Sequence, residues 1–220
     1  MGKEEIVEKA KNIRDELVVS SHFCKYNEID KNLGVIPPFI GKEEIKLIII
    51  GQDPTVKNEV SREKIKTTLN LDKGGALKNY IEAICKKLGF SLNNVYATNI
   101  FKYFYSQPPA KTMCVLYEHL FKNLELLKEE IANSPNAIIV TLGEPVLQLL
   151  TTESKEVKKY WGYSKNGKET KCDKTAFKQC TNNKLGRTFY VLPHQPSISR
   201  EFYKNNLDAY LGYIKICENL

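Results

Sequence analysis

Three side chains able to do chemistry follow directly on short apolar runs. They are Asp53 in Gly51-Gln52-Asp53-Pro54-Thr55, Asn99 in Thr98-Asn99-Ile100-Phe101-Lys102, and His194 in Pro193-His194-Gln195-Pro196-Ser197. A carboxylate can orient water, a carboxamide presents a donor and an acceptor side by side, and an imidazole can donate or move a proton. Each also has a plain structural use: Asp-Pro makes turns, Asn caps chain ends, and a His beside Pro sits in many surface loops. Their shared placement, each just past an apolar run, marks them as a candidate set.

The runs that must position them are Lys46 to Ile50, Val95 to Thr98, Ala137 to Leu142 and Thr188 to Leu192. Continuity without alternation suits strands covered on both faces. Between them, Leu77, Ile81, Ile84, Leu88 and then Leu116, Leu120, Leu124, Leu127, Ile131 recur at helical spacing, as do Ile6, Ala10, Ile13, Leu17 near the start and Leu207, Leu211, Ile214 near the end. Strands alternating with helices predict βαβ units, hence an α/β fold: a three-layer α/β/α domain around a central four-stranded, mostly parallel sheet. The 220 residues suit a single domain, 1–220. In such a sheet ligands bind beyond the carboxyl ends of the strands, where Asp53, Asn99, His194 and Leu142-Gly143-Glu144-Pro145 fall.

Charge is concentrated in one place. Residues 153–187 carry ten Lys or Arg against four Asp or Glu, a net +6 of the chain's +7, in an insertion or long loop with a possible short hairpin. Such a stretch attracts a polyanion, and equally serves as a solvated loop. Within it Tyr160, Trp161 and Tyr163 lie among lysines, suited either to base contacts or to pinning the loop to the body. The six cysteines form no C-x-x-C pair and no zinc-spaced cluster, so no metal or cofactor is expected. Without a signal-peptide core or a membrane-length apolar run, the expectation is a cytoplasmic, intracellular protein, a monomer that does not bind membranes. P-loop, dinucleotide, serine-elbow and H-E-x-x-H motifs are missing, which disfavours those chemistries. His22 and His119 fall in helix-like segments and are expected to be structural or exposed.

The strand-end motifs resemble the uracil-DNA glycosylase superfamily. Gly51-Gln52-Asp53-Pro54-Thr55 is similar to the G-Q-D-P-Y-H motif of one branch, and Leu192-Pro193-His194-Gln195-Pro196-Ser197 to its H-P-S loop. Segments 95–102 and 137–150, with Pro108-Pro109 between them, resemble the TN-hydrophobic-K and ALG-x-x-A-x-x-LL segments of the iron–sulfur branch, and Gly74-Gly75-Ala76-Leu77 resembles its glycine segment. The motifs occur in order from about Lys46 to Arg200.

The resemblance implies a monofunctional DNA glycosylase of base excision repair. It would flip uracil or a 5-modified pyrimidine out of single- or double-stranded DNA and hydrolyse its N-glycosidic bond, leaving an abasic site. Asp53 and His194 would be catalytic: the carboxylate faces the sugar and orients water, while the imidazole donates to base O2. Asn99 would read N3 and O4, with Gln52, Thr55 and Phe101 also binding substrate, and Ser197, Ser199, Arg200 and Lys102 would contact DNA. No lysine but Lys102 lies within the motifs, which gives lyase chemistry little support.

Several positions depart from the family pattern. Thr55 replaces the tyrosine that excludes a 5-methyl group, and no His follows it. Where the aromatic that stacks on the base is expected, the chain has Thr67-Thr68-Leu69-Asn70-Leu71, leaving Phe101, Tyr103 and Phe104 as candidate substitutes. Gln195 is extra in the histidine loop and either displaces His194 or reshapes the loop. Tyr103 stands where the iron–sulfur branch has a cysteine, and only Cys24 remains of its N-terminal pair, so no cluster is expected. These departures leave two alternatives: a glycosylase that removes a modified base from foreign DNA, and a catalytically silent DNA-binding member of the fold.

Overall fold

The structure is a computed structural model describing residues 1–20, 27–166 and 169–220. His22 and Cys24 lie outside the described residues. The chain opens on helix α1 (Lys3–Ser20) and strand β1 (Phe39–Ile40), then runs through β2 (Leu47–Gly51), α2 (Glu59–Arg62), α3 (Ala76–Leu88), β3 (Val95–Asn99), α4 (Met113–Ala132), β4 (Ile138–Leu142) and α5 (Glu144–Leu150). It continues through α6 (Val157–Tyr160), β5 (Trp161–Asn166), β6 (Glu169–Phe177), β7 (Tyr190–Leu192), α7 (Gln195–Ile198) and α8 (Glu201–Cys217).

All four apolar runs become strands of one sheet, ordered β1-β3-β2-β4-β7. The expected four-stranded sheet needs one correction. A fifth strand, the two-residue β1, pairs antiparallel with β3 at the edge, whereas β3, β2, β4 and β7 are parallel. Its two residues are too few for any periodicity to reveal. The central strand β2 is Leu47, Ile48, Ile49, Ile50, each at most 1% exposed, because helices cover both faces. The crossover through α3 carries the chain from β2 to β3 on one side, and that through α4 carries it back past β2 to β4. Right-handed crossovers in opposite directions put α3 and α4 on opposite faces. Accordingly α3 packs with α8, and α4 with α1 and α5. The β2 and β4 connections diverge between adjacent strands, which opens a crevice at their carboxyl ends. No helix among the described residues is long and apolar enough to cross a membrane.

The basic insertion folds largely into an antiparallel hairpin, β5 with β6. Its aromatics pin it to the body. Trp161 is fully buried, stacks on Tyr210 at 4.5 Å and donates from Nε1 to Val191 O at 2.8 Å. It is therefore no platform for an incoming base. Tyr163 meets Phe202 in the first turn of α8 edge-on at 5.3 Å, with the Lys158 ammonium 4.5 Å from its ring centre. Arg187, the last basic residue of the insertion, is taken up structurally. Its guanidinium donates to Ile131 O (2.9 Å), Ser134 O (3.2 Å), Pro135 O (2.8 Å) and Ala137 O (2.7 Å), gathering carbonyls from the last turn of α4 and the turn into β4. Bonds to a charged donor are worth about 1.5–3 kcal/mol each, with losses overlapping when one side chain is removed. Arg187→Ala is expected to destabilise the fold by about 3 kcal/mol, lowering the melting temperature by roughly 6–12 °C in a thermal scan.

Candidate active site

Register brings the first two motifs together. Gly51 pairs with Asn99 across β2 and β3, and the ladder continues past the strands through Ile100 N to Gly51 O and Phe101 N to Gln52 O, both 2.9 Å. The loops carrying Asp53 and Asn99 are thus fastened to each other by main-chain bonds. Asp53 is held within its own loop: Thr55 N donates to its Oδ1 and Gln52 Nε2 to its Oδ2, both at 2.8 Å. The Thr55 hydroxyl accepts from Tyr105 N at 2.8 Å, tying this loop to the segment after β3. Burial outweighs these hydrogen bonds and the nearby Arg62 charge, pushing the Asp53 carboxyl up to about 6. Arg62 is itself buried, donating to Val56 O and Tyr105 O.

Asn99 is 2% exposed, and its Oδ1 is buried without a hydrogen-bond partner. A buried carboxamide oxygen left unpaired is unfavourable by about 1–3 kcal/mol unless something else binds it. A Cβ on Gly51 would lie 2.3 Å from that oxygen, so only glycine leaves room for the carboxamide.

His194 reaches the same place from the far side of the sheet. Gly143, at φ 89°, lets the histidine loop come close, since a Cβ there would sit 3.1 Å from that of His194. Tyr80 donates from its hydroxyl to Pro193 O at 3.2 Å, anchoring the loop to α3. The extra Gln195 reshapes the loop rather than expelling the histidine: it opens α7, closed by Ser197 N to His194 O at 2.8 Å. His194 is exposed, yet the partial burial of its ring lowers the imidazole pKa below the ordinary value. His194 is therefore neutral near pH 7 and holds one N–H donor.

Asp53, Thr55, Leu69, Asn99 and His194 line two adjoining hollows of about 300 and 360 Å³. Gln52, Pro108, Gly143 and Pro145 also border the first; Pro54, Val56, Ile65, Asn70, Leu77 and Lys78 border the second. Leu69 enters the cavity because it and Asn70 adopt left-handed backbone, φ 57° and 54°. Asn tolerates that region; for Leu it is strained by about 1–2 kcal/mol. Asn70 Oδ1 is likewise buried without a hydrogen-bond partner.

Two expected site residues are corrected. The Phe101 ring does not line the cavity: it is fully buried, packed with Tyr103 and Tyr105 at centroid distances of 6.2 and 6.0 Å. Tyr103 and Phe104 are buried too, so none of the three substitutes for the stacking aromatic, and Leu69 forms that wall instead. Lys102 is no DNA contact, being 1% exposed and paired with Glu130. Ser197, Ser199 and Arg200 follow His194 on and after α7 and do not line the hollows; Ser199 Oγ donates to Pro196 O. His119 is structural, its ring stacked on Tyr105 and its Nδ1 3.1 Å from the tyrosine hydroxyl. Among the described residues no group of three or more His, Cys, Asp or Glu could hold a metal.

Leu69 and Asn70 carried no signal that marked them as cavity residues. Glu130 left a trace, as a charge three residues past Leu127 on the apolar stripe of α4, where a buried partner is required.

A crevice at the carboxyl edge of a parallel sheet, holding a carboxylate, an unpaired carboxamide and a neutral imidazole, has the groups needed to hydrogen-bond a small ring and to do chemistry beside it. The family model described as the Uracil DNA glycosylase superfamily matches residues 37–215, and the chain belongs to that superfamily. Membership supports a function of the DNA glycosylase type, in DNA repair by base excision. Comparison with curated proteins finds no match.

Proposed function

We propose that the protein is a monofunctional DNA glycosylase that hydrolyses the N-glycosidic bond of uracil or a 5-modified pyrimidine flipped out of DNA. The observation that carries this reading is the buried, unpaired Asn99 carboxamide in one cavity with Asp53 and His194. A pyrimidine's N3 and O4 supply the partners that the carboxamide lacks. As the bond from C1′ to N1 breaks, its electron pair goes to the base and positive charge develops on the sugar. The Asp53 carboxylate faces that charge and holds the water whose oxygen bonds to C1′. One water proton passes to Asp53 and on to solvent, and the departing base anion takes up a proton from solvent at N1. The neutral His194 N–H donates to the O2 on which negative charge accumulates.

DNA is the expected partner. Exposed Lys165, Lys174 and Lys178 lie on or beside a hairpin packed against the first turn of α8, just after Ser197, Ser199 and Arg200. The reading is of an intracellular monomer, in keeping with the unpaired Cys85, Cys114, Cys172, Cys180 and Cys217. The deciding experiment offers end-labelled single- and double-stranded oligonucleotides containing uracil, mismatched thymine or hydroxymethylated pyrimidines, with Asp53→Asn as control. Abasic-site formation lost in the variant supports the enzyme. Tight DNA binding with no release of any base leaves the silent binder as the better description.

One observation favours preference for a modified base, as in foreign DNA. The second hollow, bounded by Thr55, Leu69 and Asn70, offers room beyond that taken by a bare ring. Base stacking on an aromatic is worth about 1–3 kcal/mol. Leu69→Phe is thus expected to raise kcat/KM for uracil about 10-fold while lowering it for a hydroxymethylated pyrimidine, measured side by side. Equal changes for both substrates would remove this preference.

A further inference from the structure

We infer that Lys102 and Glu130 are positioning residues for Asn99: a buried ion pair that fixes where the carboxamide stands in the cavity. This inference rests on the reading of Asn99 as the group that recognises the base. Lys102 follows Asn99 by one tight turn and donates from Nζ to Asn99 O at 2.9 Å. The same ammonium pairs with Glu130 on α4, whose side chain is 0% exposed. The other Glu130 oxygen accepts from Tyr96 at 2.7 Å and from Thr98 at 2.8 Å, two residues of the strand that ends in Asn99. Burial and the Glu130 charge raise the Tyr96 pKa, keeping that phenol a donor. Three bonds therefore lock the end of β3 to α4 around one charge pair, and the Asn99 main chain is among the groups held.

A buried ion pair is an expensive way to hold a strand, since apolar residues of similar volume often serve stability as well or better. What apolar packing cannot do is grip a carbonyl oxygen from a set direction. Asn99 needs that grip because its carboxamide has no hydrogen bond of its own and threads past Gly51, where only a glycine fits. Displacing a binding group by about 1 Å can lower a rate by about 10²-fold.

The test uses the full chain. In Lys102→Met/Glu130→Gln neither charge remains, and the new amide still accepts from Tyr96 and Thr98. Glu130→Gln alone is a second, milder variant. Melting temperatures identify the folded proteins, and two readouts follow. In the first, the side-chain amide resonances of Asn99, assigned by their loss in Asn99→Ala, are followed in asparagine-labelled protein. They are expected to shift and broaden in the folded variants. In the second, Asn99→Ala is expected to lower kcat/KM for uracil-containing DNA about 10²-fold in the otherwise native chain but by only about 3-fold or less in the double variant. A merely structural pair would leave the Asn99 resonances in place and the full 10²-fold factor in both backgrounds, and that result overturns the inference. If the native chain releases no base, the proposed function fails while the resonances still decide whether the pair positions Asn99.

Discussion

Asp53→Asn is expected to lower base release about 10³-fold while leaving DNA binding intact, because the variant keeps the shape of the loop and loses only the charge facing the sugar. Thr55 N can still donate to the amide oxygen, and Gln52 can turn its own oxygen toward the new amide nitrogen. Single-turnover release from labelled uracil DNA, alongside a binding titration, separates the two quantities. A loss smaller than 10-fold would remove Asp53 from the reaction. In the proposed reaction the raised carboxyl, about 6, sets the pH profile of the native chain. The ionised form is the active one, so the rate is expected to rise between pH 5 and 7 with its midpoint near 6.

The same raised pKa makes Asp53 a liability for stability. An aspartate at 3.8 in the unfolded chain and about 6 in the folded one is bound to its proton more tightly when folded. Its stabilising contribution is therefore complete below pH 3.8 and is lost as pH rises through 6. A shift of this size corresponds to at most about 3 kcal/mol, reduced by the solvent that the side chain still meets. Asp53→Asn is thus expected to melt several degrees above the native chain at pH 8, with the difference vanishing near pH 3.5. Gaining stability while losing activity is the pattern of a group held charged for function.

His194→Ala is expected to lower kcat about 10²- to 10³-fold with a much smaller effect on KM, since in the proposed reaction its bond to base O2 strengthens only as the base departs. His194→Gln, which restores an N–H donor, should recover part of the loss. Because burial holds the imidazole neutral, the native rate should show no descending limb between pH 6.5 and 8, the range in which an imidazolium donor would lose its proton. A descending limb there, abolished by His194→Gln, would assign the donor to the charged form.

Much of this architecture was legible in the sequence because local chemistry dictates it. The continuous apolar runs suit strands covered on both faces, and the helical periodicities between them imply parallel pairing. Parallel pairing in turn sends every strand's carboxyl end to one edge of the sheet, so Asp53, Asn99 and His194 had to face a common crevice. That Gly51 makes room for the Asn99 carboxamide, and Gly143 for His194, was not legible.

Only the tertiary structure decided which neighbours line the cavity. Lys102 and Phe101 share a short motif with Asn99, and adjacency in sequence suggested a shared role. Past the end of β3 the chain turns, and both side chains enter the core while Asn99 faces the cavity. Leu69 became a cavity wall through two consecutive left-handed residues, a conformation its side chain does not favour and no periodicity announces. Glu130 lies far along the chain from Lys102, and their pairing exists only because α4 packs across β3. The sequence determined which groups stand at the sheet edge, since where each apolar run ends is a local property. Which of them reach the cavity depended on packing between distant segments, and that is settled only when the whole chain has folded.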